Sequence, residues 1–160
     1  CSSDLFVLAF IRSGLLRPED CALESRSRCM RDPLEQAISG SHADLVAALL
    51  AAGSGSRLVN NQEALTAAWA LMPRLPATGK PSEGIVRTAN TIAALLEGGA
   101  DWNVPSMVGE RITVRAEANR EHALFARPQL DRLHRAIQAR ELDAAMAPSA
   151  AARSGSRRRL

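Results

Sequence analysis

The stretch DPLEQAISGSHADLVAALLAAG, Asp32 to Gly53, decides the fold. Asp32 suits an N-cap, where its carboxylate accepts from a free backbone N–H. Pro33 suits the first helical position, where a missing N–H costs nothing. Leu34, Ala37 and Ile38 then fall on one helical face. Gly40-Ser41 interrupts the run. Leu45, Val46, Leu49 and Leu50 form the stripe of a second helix, and Gly53 closes it. Neither segment is long enough to hold a helix alone in water. Two short helices written back to back make an αα-hairpin with apolar faces that need neighbours.

The neighbours are written further along the chain. LVAALLAAG (Leu45–Gly53) returns as TIAALLEGGADWN (Thr91–Asn103), and PLEQAISG (Pro33–Gly40) returns more weakly as ALTAAWAL (Ala64–Leu71). Leu133, Ala136 and Ile137 repeat the spacing of Leu34, Ala37 and Ile38. LAFIRSG (Leu8–Gly14) matches a second helix without its first; the helix is expected over Asp4–Arg12. The first-helix pattern recurs after about 31 residues, close to the 33-residue period of one helical-repeat class.

The chain resembles a divergent ankyrin-repeat protein. The family's T-P-L-H-x-A-A start is matched by Asp32-Pro33-Leu34-Glu35-Gln36-Ala37-Ile38, and its G-H by Ser41-His42. Its I-V-x-x-L-L-x-x-G core is matched without a gap by Leu45–Gly53, and its G-A-D-x-N ending by Gly99–Asn103. In that ending glycine permits a positive φ beyond the helix, and Asp and Asn favour the hairpin turn that follows. The resemblance implies an all-α, ankyrin-like stack of αα-hairpins, an alpha solenoid with a truncated first repeat. The expected repeat domain covers 1–146, with Leu49, Leu50, Leu95 and Leu96 buried. Two departures interrupt it. The first is an inserted loop, 72–84, rich in Pro and Gly, between the two helices of one repeat. The second is an irregular segment, 104–129. Within it RITVRAE (Arg111–Glu117) alternates like a strand but also runs into a helical pattern. Residues 147–160, rich in Ala, Ser and Arg, read as a disordered basic tail.

Composition limits the function classes. Of 160 residues, 46% are hydrophobic but only 3% aromatic, so the core must be Ala, Leu, Val and Ile. The formal charge is +3, and much of the excess lies in the C-terminal RSGSRRRL. That makes nucleic-acid binding by the folded part unexpected. No apolar run approaches the ~20 residues of a membrane span. Cys21 and Cys29 flank a polar loop and are read as reduced, with a small disulfide as the alternative. The chain starts at Cys1, which suggests a fragment boundary, or else a processed lipid-anchored start. A cytoplasmic monomer is expected.

No catalytic constellation stands out. His42 and His134 match family positions where histidine is structural, and His122 reads as solvent-facing. ATGKPS (Ala77–Ser82) lacks the frame of a phosphate-binding loop. No enzyme activity, cofactor or metal is expected. Trp69 reads as core beside the insertion. Trp102 is either an exposed anchor at a turn tip or buried under the segment that follows.

The resemblance therefore implies a protein–protein interaction module with an as yet unnamed protein partner. In such a stack, partners meet the turn tips and the inner-helix positions between the fixed apolar ones. Here these are Gln36 and Ser39, Ala67 and Ala70, and Arg135 and Gln138, with Arg28, Arg31, Asn61 and Trp102 at the tips. Two alternatives remain: a segment of a larger signalling protein or enzyme, and electrostatic contact with nucleic acid or an anionic surface through Arg153 and Arg157–Arg159.

Overall fold

A computed structural model describes residues 33–54, 62–106 and 109–147. The expected Asp4–Arg12 helix, the Cys21–Cys29 question, the Asp32 cap and residues 148–160 lie outside that range. Among the described residues the chain is mostly helical. Helix α1 is Pro33–Ser39 and α2 is Ala43–Leu49, which passes into a π-helical turn at Leu50–Ser54. Helix α3 is Gln62–Ala70 and α4 is Glu83–Glu97. Strands β1 (Pro105–Ser106) and β2 (Gly109–Thr113) form an antiparallel hairpin. Helix α5, Val114–Phe125, then leads through a 3-10 turn at Pro128–Leu130 into α6, Asp131–Met146.

The turn after α1 shows how the short helices stop. Ser41 takes a left-handed conformation at φ 54°, its N–H reaches the Ile38 carbonyl, and the His42 N–H reaches that of Ala37. This pair of bonds satisfies the last free carbonyls of the helix. A Cβ on Gly40 would stand 2.4 Å from the His42 ring, so only glycine lets that ring close over the turn. Helix α4 ends the same way. Gly99, at φ 87°, bonds to Leu96 and Ala100 bonds to Leu95. Asp101 Oδ1 then accepts from the Asn103 N–H at 3.0 Å, the local turn expected of that Asp-x-Asn.

Consecutive helices pack in pairs: α1 with α2, α3 with α4, and α5 with α6. The pairs also meet along two rows. In one, α1 touches α3, and Trp69 of α3 meets Phe125 of α5 edge to face at 5.9 Å. In the other, α2, α4 and α6 lie side by side. Helix α4 is central, and Thr91 to Leu96 are all buried, as a helix covered on several sides requires. Leu34, Ala37 and Ile38 of α1 are buried, and so are Leu65, Ala68 and Trp69, which occupy the same register in α3.

Several expectations are corrected. Ser82 Oγ accepts from the Ile85 N–H and starts α4 at Glu83, so the final residues of the expected 72–84 loop are helix. Segment 104–129 is not irregular. The strand reading of RITVRAE holds through Thr113, and the helix reading holds from Val114. Thr113 Oγ1 makes the switch by accepting from the Ala116 N–H at 3.1 Å. Helix α6 is one continuous rod in the α2–α4 row, not the first helix of a hairpin beside α1 and α3. Its Leu133, Ala136 and Ile137 are nevertheless buried. Leu49, Leu95 and Leu96 are buried as expected, while Leu50 is half-buried.

Candidate interaction surface

The residues between the apolar positions of α1 and α3 face outward. Gln36 and Ser39 are exposed on α1, and Ala67 and Ala70 on α3. The two pairs are 31 positions apart and hold the same register relative to their buried neighbours. Helix α1 packs on α3, so both pairs lie on neighbouring helices of one row. Leu71 extends it. Its N–H still bonds to Ala67 O, so it completes the last turn of α3, and its side chain is 45% exposed. Sequence reasoning missed Leu71 because it sits at the register of a boundary residue, where α3 stops and the loop begins.

The hairpin is fixed to the same row. Thr66 Oγ1 of α3 donates to the Pro105 carbonyl at 3.2 Å. Ser106 Oγ bonds the Glu117 carboxylate of α5. Below the hairpin, the Val114 N–H bonds to Val104 O and the Arg115 N–H to Trp102 O at 2.8 Å.

Trp102 is not a turn-tip anchor. It is 2% exposed, closed in by the segment that follows it. The Arg115 guanidinium lies over its ring at 5.6 Å from the centroid. That guanidinium also grips Glu141 of α6 through both oxygens, at 2.8 and 3.0 Å, and the Asn119 amide donates to the same carboxylate. The bonds from Arg115 and then Asn119 hold the Glu141 carboxyl below its ordinary range, and Glu141 in turn raises the Arg115 guanidinium.

Arg135 and Gln138 are exposed, but on α6, away from the α1–α3 row. Arg135 is tied to Asp131 at 2.9 Å on its own helix. The structure thus sets Gln36 and Ser39 on α1, Ala67 and Ala70 on the neighbouring α3, and Arg135 and Gln138 on α6. Arg28, Arg31 and Asn61 lie outside the described residues. His42 is exposed, while His122 and His134 are half-buried and stacked on each other.

The loop between α3 and α4 is less free than its prolines suggest. Arg127, after α5, donates to the carbonyls of Pro76 at 2.9 Å and Gly79 at 3.4 Å, and Pro81 is buried. Among the described residues no helix is long and apolar enough to cross a membrane. Compared with family models, curated proteins and solved structures, the chain matches none.

Proposed function

We propose that the chain is an ankyrin-like stack of αα-hairpins and that it works as a protein–protein recognition module without catalysis. The observation that carries the reading is the exposed surface of the α1–α3 row. There the small side chains Ala67 and Ala70 are exposed on α3 just before the exposed Leu71, and the polar Gln36 and Ser39 are exposed on the neighbouring α1. Small residues in the centre leave room for a partner's bulky groups, and Leu71 supplies an apolar contact at the rim. The pairwise helix packing and the turns at Ser41 and Gly99 support the stack.

The partner class is a folded protein or peptide with a bulky apolar group facing this row. After a partner has been isolated by affinity capture and mass spectrometry, Ala70→Arg places a long charged side chain in the centre of the surface. It is expected to weaken binding at least tenfold, as central interface positions do. Arg87→Ala on α4, exposed in the other row, is the control and is expected to leave affinity unchanged. Loss confined to Arg87→Ala would put the interface on the opposite side and overturn the reading.

A further inference from the structure

We propose that α6 pairs with α6 of a second copy of this chain, antiparallel, through a stripe of Arg135, Ala139, Leu142 and Met146. The sequence reading expects a monomer and does not include this self-association. Leu142 is 60% and Met146 72% exposed, the two most exposed large apolar side chains among the described residues. One outward leucine is ordinary. Here two large apolar groups stand one turn apart, and the exposed Ala139 and Arg135 continue the line. The steps between the four residues are 4, 3 and 4, the spacing of a two-helix seam.

The fold explains why this stripe is bare. Helix α6 packs on α4 and α5 and stands at the end of the α2–α4–α6 row. Its Leu133, Ala136 and Ile137 are buried, and Arg140 and Glu141 are tied to the turn after α4 and to α5. At 3.6 residues per turn the four stripe residues all project within about 40° of the direction opposite Ile137. Helix α4, with neighbours on both sides, is buried at every position from Thr91 to Leu96. On α6 the side where a further helix would lie is open.

The stripe fits its own copy. An antiparallel pair centred between positions 140 and 141 sets Ala139 opposite Leu142 of the second copy, and Arg135 opposite its Met146, each twice by symmetry. The small Ala139 leaves the hole that this leucine fills. The Arg135 stem lies along the methionine, and its guanidinium comes within one turn of Asp143 of the second copy, a residue exposed at the edge of the stripe. Arg135 meets Asp131 of its own helix at 2.9 Å, but with the two side chains 71% and 56% exposed that ion pair is weak and leaves the guanidinium free to turn. A parallel pair would set Arg135 against Arg135 and Asp143 against Asp143, so charge selects the antiparallel arrangement. The seam is short. Helix α6 has 16 residues and is about 24 Å long, and the contact falls below the roughly 1,200 Å² of a standard interface. The dimer is therefore weak and concentration-dependent, half-formed at about 100 µM. The α1–α3 row takes no part in it, so the inference does not rest on the recognition surface proposed above.

The test is sedimentation equilibrium of the full chain from about 5 to about 500 µM, a range that brackets the expected dissociation constant. The weight-average mass is expected to rise with concentration from 17.1 kDa towards twice that value. Leu142→Glu is expected to weaken association at least about tenfold, and to leave the melting temperature at the lowest concentration unchanged because the side chain is on the surface. Arg135→Asp and Asp143→Arg are each expected to weaken it about fivefold, and the double variant to return within about twofold of the original chain, because the reversed pair attracts again. A mass that stays at 17.1 kDa throughout, or association that Leu142→Glu leaves intact, would overturn the proposal. So would a fall of more than about 5 °C in the melting temperature of monomeric Leu142→Glu, which would show that a segment of the same chain covers the stripe. A double variant no tighter than the weaker single one would overturn the antiparallel pairing.

Discussion

Trp102→Ala separates a core residue from a surface anchor, because the two roles predict opposite results in the isolated protein. At 2% exposure the indole has almost no contact with water. A buried tryptophan removes roughly 150–250 Å² from solvent. At about 25 cal/mol per Å² that gives an upper bound of roughly 4–6 kcal/mol. Truncations of buried aromatic residues to alanine cost about 3–5 kcal/mol. The expected loss is therefore about 4 kcal/mol, a large share of the ~5–15 kcal/mol that holds a typical domain together. For a chain of this size the melting temperature should fall by about 10 °C. The assay is urea unfolding, followed by far-ultraviolet circular dichroism and by the fluorescence of Trp69, the tryptophan that remains. Trp69 reports on the junction of α3 and α5 through its contact with Phe125. Agreement of the two probes checks that unfolding is two-state. Trp102→Phe keeps a ring in the site and is expected to recover more than half of the loss. A surface anchor would change stability by no more than about 0.5 kcal/mol. A measured loss under about 1 kcal/mol for Trp102→Ala would refute its assignment to the core.

Two other outcomes follow from contacts made by charged groups. Arg127→Met is expected to cost about 1 kcal/mol in the intact protein, from the hydrogen bonds to Pro76 and Gly79. It should cost less than about 0.3 kcal/mol once residues 73–80 are replaced by a Gly-Ser turn that keeps Pro81 and Ser82; fully additive costs in urea unfolding would refute the clamp. Glu141 has a depressed folded-state carboxyl, so its stabilising contribution is complete above the ordinary value of 4.5 and disappears as pH falls through the lower folded-state value. Wild-type protein should therefore lose more stability than Glu141→Gln when the pH is lowered from 6 to 3, and parallel curves would remove Glu141 from the account.

Helices α1, α2 and α3 were legible because each is an independent apolar stripe with a clear break after it. Leu34, Ala37 and Ile38, and the matching Leu65, Ala68 and Trp69, show their burial in the spacing alone. The start of α4 was hidden by Pro81 and Gly84, which look like loop. The readable signal was Ser82, three residues before Ile85, in an N-cap relation. The placement of α6 failed for a different reason. Spacing tells which face of a helix is buried, not which neighbour buries it. Leu133, Ala136 and Ile137 share the pattern of α1, yet α4 covers them. Reading Thr113 as a cap would have revealed α5 and moved α6 to the other row. Trp102 was undecidable locally, because its burial depends on a hairpin and helix that come after it. For the same reason the surface was legible in part. Gln36 and Ser39 could be placed between apolar positions of α1, whereas Arg135 and Gln138 inherited the wrong row of α6.

Three arginines of the last helix pair, Arg115, Arg132 and Arg140, are tied into the fold, whereas Arg120 and Arg135 of the same helices are exposed. The apolar face of α6 is narrow, and its second half carries no large buried side chain after Ile137. Polar ties hold the rest. Arg132 reaches back to Glu97 at the end of α4, with its guanidinium nitrogen 2.8 Å from the carboxylate. Arg140 donates to the Ala100 carbonyl at 3.0 Å, in the turn that follows α4. Arg115 joins α5 to α6 through Glu141 while covering Trp102. Each of these cations has its hydrogen-bonding face turned toward the fold, where a guanidinium's several donors can meet a carboxylate or a carbonyl in a set direction. Long arginine stems can lie along apolar surface while the heads make the bonds. A polyanion approaching α5 and α6 would have to compete with Glu97, Glu141 and the backbone for these groups. That competition is an argument for the proposed recognition along the α1–α3 row over attraction by charge at these three arginines.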